Sequence, residues 1–169
     1  DYAGEYFAAA GVARCIRLFR YDDVVADATD TSAAKRPRLD AEAPAAPMAR
    51  DPVLSIDVKH KLSCLSWCRL AAPDAPLAST DYEGVVSLYD PSTGRLIRDT
   101  CEHERRLWSV AFADQARPQS FATGGDDGRV KLWNVNDPCS VLTLELRANV
   151  CAVEFQRNNP DMLAVGSAD

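Results

Sequence analysis

The chain has 169 residues, 47% of them hydrophobic, and a formal net charge of −6. That length suffices for one ordinary domain core, and the mild acidity argues against a nucleic-acid-binding domain, which shows a basic patch or stripe. No apolar run approaches the ~20 residues that a membrane span requires, and the N-terminus carries no signal-peptide pattern.

The first stretch, EYFAAAGVARCIRLFRYDD, reads as two strands joined by a tight turn near Gly11 to Arg14. Ile16 and Leu18 point one way and Arg17 and Phe19 the other, the period-two pattern of a strand. From about Val24 to Arg50 the composition shifts to Ala, Asp and Pro and periodicity is lost. Such a segment buries too little apolar surface to offset the entropy of ordering it, so the expectation is a disordered surface insertion. Within it, KRPR at Lys35 to Arg38 matches half of a nuclear import signal, giving an expected nuclear and cytoplasmic location.

Ordered pattern returns at Val53 with VLSIDV, followed by KLSCLSW, PLAST and VVSLYD. Aligning strand ends exposes a repeat. Trp67, Phe112 and Phe155 are spaced by 45 and 43 residues, Leu77, Phe121 and Leu163 by 44 and 42, and Tyr89 and Trp133 by 44. Phe19 precedes Tyr89 by 70, which is about one period once the insertion is removed. A period of ~40–45 residues with four short strands per unit is that of a β-propeller blade. The expected division is 1–23 for strands of a first blade, 24–51 for the insertion, 52–90 for a second blade, 91–135 for a third and 136–169 for a truncated fourth. Because the chain starts at Asp1 rather than Met and stops at Asp169 in turn-like sequence, it reads as a fragment.

Cys15, Cys64, Cys68, Cys101, Cys139 and Cys151 form no C-x-x-C pair, and His60 and His103 lie far from any metal-ligand spacing, so neither a metal nor a cofactor is expected. Cys64 and Cys68, placed on one strand, would be ~13 Å apart, beyond disulfide reach. The expectation is free, mostly buried thiols.

The repeats resemble the WD-repeat family. The clearest match is FATGGDDGRVKLWN, followed by LASTDYEGVVSLYD, FAAAGVARCIRLFR and LAVGSAD. The resemblance implies an all-β fold of antiparallel four-stranded blades, a partial WD-repeat β-propeller with about three of seven blades. It also implies a buried hydrogen-bond tetrad in the third unit, His103, Thr123, Asp127 and Trp133. The same register reads Val58, Ser79, Glu83 and Tyr89 in the second unit, Ala9, Ala13 and Phe19 in the first, and Leu146, Val165 and Asp169 in the last. A His–Thr–Asp set also fits a general base and nucleophile, but these residues recur at structural positions of a repeat. The paired Asp126 and Asp127 sit in a GDDG turn of the kind that joins two strands. With no phosphate-binding loop or activated nucleophile, the segment reads as non-catalytic.

In a WD propeller, the loop before the innermost strand and the turn between the next two strands open on one face. Here those positions hold Lys61, Tyr82, Arg105, Arg106 and Trp108. Cations beside aromatics form a notch suited to a short acidic peptide with an apolar anchor. Against this stands the reading of Trp108 as blade core and the basic residues as a solvated rim. A closer resemblance supports the notch: KLSCLSW, LASTDYEGVV, EHERRLWSV and FAAAGVARCIRLF are similar to the constitutively photomorphogenic ubiquitin ligase and suppressor-of-phytochrome family. That resemblance implies a top face binding acidic Val-Pro peptides of transcription factors and receptors through Lys61, Tyr82, Arg106 and Trp108, in a parent RING-type E3 ligase or its partner. It implies ubiquitin ligase components as further partners, with no nucleic acid and no membrane. The alternative is a WD-repeat interaction scaffold without ligase activity.

Overall fold

A computed structural model describes residues 4–11, 13–23, 51–70, 72, 75–114 and 116–169. The expected insertion lies outside them except for Asp51, as does KRPR. Among the described residues thirteen strands are joined by turns and loops: β1 (Tyr6–Ala10), β2 (Cys15–Arg20), β3 (Leu54–Asp57), β4 (Leu62–Trp67), β5 (Leu77–Asp81), β6 (Val85–Tyr89) and β7 (Leu96–Cys101). They continue as β8 (Leu107–Phe112), β9 (Ser120–Gly125), β10 (Arg129–Asn134), β11 (Leu142–Glu145), β12 (Val150–Gln156) and β13 (Asn159–Ser167). Every pairing is antiparallel between consecutive strands. The sheets are β1-β2-β3, β4-β5-β6-β7, β8-β9-β10-β11 and the pair β12-β13.

These sheets do not coincide with the sequence units. β3 begins the 52–90 unit yet pairs with β2 (Ile16 opposite Ile56), so it closes the first sheet. β7 and β11 likewise begin later units but finish the second and third sheets. The physical reason is that a period fixes the length of a repeat, whereas hydrogen bonding to the preceding hairpin fixes its phase. Residues 24–50 therefore connect two neighbouring strands of one sheet.

Apolar side chains of adjacent sheets meet face to face in three cores. Ile16, Leu18, Ile56, Leu77 and Tyr89 fill the first interface. Val86, Leu88, Leu107, Val110, Phe112, Phe121 and Trp133 fill the second. Ala111, Ala113, Ala122, Val130, Val150, Val153 and Phe155 fill the third. Strand alternation divides the third sheet's two faces: Phe112 and Phe121, with ring centroids 5.1 Å apart, look towards the second sheet, and their alanine neighbours look towards β12. Small residues on that face let the next sheet approach closely, and a Cβ on Gly124 would collide with Val150.

The cysteines are unpaired as thiols, but the expectation that they are mostly buried is wrong. Among them Cys68 alone is buried, while Cys101, Cys139 and Cys151 are exposed. Cys101 ends an outer strand and Cys139 lies in a loop, positions that face no neighbouring sheet.

Glycine fixes the spacing of successive sheets at two equivalent turns. Gly84 follows Tyr82 at φ +85° and Gly128 follows Asp126 at φ +71°. A Cβ on Gly84 would stand 2.6 Å from the His103 carbonyl oxygen and 2.8 Å from that of Arg105. Each turn thus packs directly on the backbone loop leading into the next sheet. In the full-length protein, Gly84→Ala should cost about 2 kcal/mol or more, since left-handed backbone strain adds to a clash with main-chain atoms. Chemical denaturation checks this, and a change below about 0.5 kcal/mol would contradict the packing.

Candidate peptide-binding face

The face is built by one arrangement used three times. Tyr82 N–H donates to the Lys61 carbonyl at 3.0 Å, Asp126 N–H to that of Arg106 at 2.8 Å, and Ala168 N–H to that of Asn149 at 3.1 Å. Each bond ties the turn after a sheet's second strand to the residue preceding its innermost strand. The innermost strand then carries a register shift in every case, between Leu62 and Cys64, Leu107 and Ser109, and Val150 and Ala152. A bulge leaves one residue unpaired and re-aims its side chain. The bulged residues are Ser63, Trp108 and Cys151.

Trp108 is therefore not blade core: it is partly exposed and belongs to none of the three core clusters. The structure brings it together with the three other residues expected on this face. Tyr82 is at the centre, edge-on to Trp108 with 6.0 Å between centroids. Lys61 Nζ sits 4.4 Å from the Tyr82 centroid. The Arg106 guanidinium lies between both rings, 4.8 Å from Tyr82 and 4.4 Å from Trp108. Such contacts contribute about 0.5–2 kcal/mol each, more when water is excluded. Arg105, also expected at this rim, is exposed and lines a neighbouring cleft instead.

Sequence reasoning treated Asp126 only as a turn residue. It is the group that orders the cluster: Oδ1 accepts from the Trp108 indole at 2.6 Å and Oδ2 from Arg106 Nε at 3.2 Å. The notch is consequently less cationic than its residue types imply, because Arg106 already has a counter-ion. Lys61 has no ion-pair partner among the described residues.

Asp127 points inward. Its Oδ2 is 2.8 Å from His103 Nδ1, His103 Nε2 is 2.8 Å from Thr123 Oγ1, and the Trp133 indole donates to the same hydroxyl at 2.8 Å. The donors can be assigned by elimination. An indole only donates and a carboxylate only accepts, so the Thr123 proton goes to Nε2 and His103 holds its own proton on Nδ1. Burial pushes the His103 pKa below the usual histidine value, although Asp127 opposes the shift. A neutral imidazole satisfies every member of the chain. Thr123 is fully buried and its hydroxyl already donates to His103 and accepts from Trp133, which disfavours the nucleophilic reading.

The corresponding set in the second sheet is looser. Burial raises the Tyr89 pKa, with the Ser87 and Ser79 side chains opposing the shift. Asp81 Oδ1, rather than Glu83, accepts from the turn amides of Glu83 and Val85. Lys131 is a further buried cation, held by Glu102 at 3.3 Å and Thr143 at 3.0 Å. Burial works against ionisation of Glu102, but donors from Ser140 and Lys131 outweigh it and keep the carboxyl below its ordinary range. Among the described residues no three His, Cys, Asp or Glu side chains converge as metal ligands.

Among solved structures, the WD40 β-propeller domain of Doa1 superposes with a TM-score of 0.69 at 17% identity, covering all of this chain and 46% of that one. The chain is a segment of a WD-repeat β-propeller. It is homologous along its whole length to the E3 ubiquitin-protein ligase COP1 of Arabidopsis thaliana, with 34% identity over 169 residues, and covers 22% of that protein. Protein SUPPRESSOR OF PHYA-105 1 of Arabidopsis thaliana is 36% identical over 165 residues, which are 98% of this chain and 14% of the relative. No protein-family model matches. The chain thus spans about a fifth or less of the length of these two relatives.

Two outcomes test the tetrad in the full-length protein. Thr123→Val, which keeps shape but strands the Trp133 and His103 nitrogens, should destabilise by about 2–5 kcal/mol in chemical denaturation. Since folding lowers the His103 pKa, the unfolded chain binds more protons as pH drops through the unfolded value of about 6.5. Stability carried by neutral His103 should therefore fall from pH 7 to pH 5.5, and His103→Gln should flatten that decline in thermal melts. An equal slope in the variant would show that His103 is not the titrating group.

Proposed function

We propose that this chain is the substrate-recognition propeller of an E3 ubiquitin ligase and that its top face binds short acidic peptides containing Val-Pro. The observation that carries the reading is the cluster around Tyr82, in which Lys61, Arg106 and Trp108 converge on one ring at the edge of the central strands. A Val-Pro dipeptide suits it physically. Proline is already extended, so little entropy is lost on docking, and its ring and the valine methyls offer flat apolar faces to Trp108 and Tyr82. An acidic neighbour then pairs with Lys61, which lacks a counter-ion, an arrangement that speeds encounter as well as holding register.

Similarity to a ligase over the entire chain supports the connection to ubiquitin transfer. In this reading the propeller selects the substrate, a transcription factor or receptor, while transfer rests on RING and coiled-coil segments elsewhere in the parent protein. KRPR would contribute to nuclear import, with the protein shared between nucleus and cytoplasm. A scaffold with no ligase role is the second reading. It is favoured by equal similarity to a relative whose name carries no ligase activity.

Trp108→Ala in the full-length protein should weaken binding of an acidic Val-Pro peptide by about 2 kcal/mol, roughly 30-fold, with thermal stability nearly unchanged because Trp108 lies outside the cores. Lys61→Glu should weaken it about tenfold. Fluorescence anisotropy measures both, and unchanged affinity in Trp108→Ala would end the groove reading. Reconstituted ubiquitination separates ligase from scaffold: a ligase modifies a Val-Pro substrate, and Trp108→Ala stops it.

A further inference from the structure

Lysine is scarce on this molecule, and its few amines are not equivalent. Among the described residues the lysines are Lys59, Lys61 and Lys131, while Lys35 lies outside them. Lys131 is closed in, its side chain 9% exposed and its Nζ shared between Glu102 at 3.3 Å and Thr143 at 3.0 Å. Lys61 Nζ is drawn over the Tyr82 ring, where a docked peptide covers it. Lys59 differs from both. Its side chain is 79% exposed, and its ion pair with the half-exposed Asp99 is long, at 3.8 Å. An exposed pair of that kind holds an amine weakly.

The other cations of this face cannot stand in for it. Arg105, Arg106 and Arg147 carry guanidinium groups, which stay protonated and offer no lone pair for attack on a carbonyl. A lysine amine offers one once it has shed its proton. Lys59 also has a fixed place. It lies in the loop between β3 and β4, held on one side by the Val58 N–H donating to the Arg14 carbonyl at 3.0 Å and on the other by the Lys61 carbonyl accepting from Tyr82. Its side chain runs towards Asp99 on the outer strand β7, away from the Tyr82 ring. The amine therefore stands beside the peptide face without forming part of it.

We propose that Lys59 is a ubiquitin acceptor, modified by the ubiquitin-loaded conjugating enzyme that serves the ligase. The inference rests on the ligase reading above and adds a regulation of the same face. Thioester-linked ubiquitin has to be delivered to the side of the propeller on which a substrate lies, and there Lys59 is the receptor's own reachable amine. Its deprotonated Nζ attacks the thioester carbonyl carbon. An N–C bond forms, the C–S bond to the conjugating enzyme breaks, and the surplus amine proton passes to the departing thiolate. Asp99, 3.8 Å from Nζ, is placed to relay that proton through a water. Self-modification and substrate modification then compete for one thioester, so an occupied face spares Lys59 and an empty one leaves it open. Ubiquitin linked two residues from Lys61 would in turn obstruct the notch.

The test is a reconstituted reaction with the full-length protein, a conjugating enzyme and ubiquitin, in which ubiquitin remnants on lysine are mapped by mass spectrometry. Without substrate, the remnant should appear on Lys59 and be absent from Lys131. Adding a Val-Pro substrate that carries lysines should lower the Lys59 remnant, and Trp108→Ala should cancel that protection. Lys59→Arg keeps the charge and should remove ubiquitin from this loop while substrate ubiquitination continues undiminished. Absence of the Lys59 remnant from a reaction that does modify substrate overturns the inference and leaves the ligase reading standing. A Lys59 remnant that substrate fails to lower overturns the proposed competition in the same way. If no substrate is modified under these conditions, the ligase reading fails and the inference falls with it.

Discussion

Adjacent carboxylates in one tight turn join the scaffold of this molecule to its surface. Asp127 turns inward and anchors the chain through His103 and Thr123 to the Trp133 indole, all at 2.8 Å. Asp126 turns outward and holds Trp108 and Arg106. The turn can carry both roles because its backbone is fixed independently, by the Asp126 amide bond to Arg106 and by Gly128 packed on the next loop. The inner chain adds a third support, so the orientation of Trp108 rests on the Asp126 amide bond, on Gly128 and on Asp127 together. A buried network that is saturated is rigid, and rigidity is what a small exposed cluster needs from its support.

Much of the fold was legible because a propeller is a repeat, and strand-ending aromatics mark its period. The phase was not legible. Hydrogen bonding assigns β3, β7 and β11 to the sheets before them, and no periodicity distinguishes an outer strand that closes one sheet from one that opens the next. The cysteines show a similar limit. Their hydrophobic character argues for burial, whereas Cys101 and Cys139 stand where no neighbouring sheet is available to cover them.

The four residues of the notch, with Arg105 beside them, could be named from the resemblance to WD-repeat propellers, whose top-face positions carry no core duty. Their mutual geometry could not. The bulge that turns Trp108 out of the core is a register shift between Leu107 and Ser109, and nothing in the composition of LWSV announces it. Asp126 was hidden for a different reason. Aspartate is common in turns for purely local causes, so a turn aspartate that instead organises two distant side chains carries no distinguishing sequence mark.

Repetition also explains why the surface is uneven in a useful way. The turn-to-entrance bond and the bulge recur in three sheets, so the backbone presents equivalent slots around the rim. Core packing constrains the strands between those slots but leaves their tips free to differ. Between the second and third sheets the slot is filled by aromatic rings and cations, and between the third and fourth it is open and lined by arginines. On the proposed reading, a peptide lying along the rim would meet these chemistries in a fixed order, set by the repeat. Specificity for a linear sequence would then follow from geometry: the backbone sets the spacing of the slots, and side chains at the tips decide which residue each one accepts.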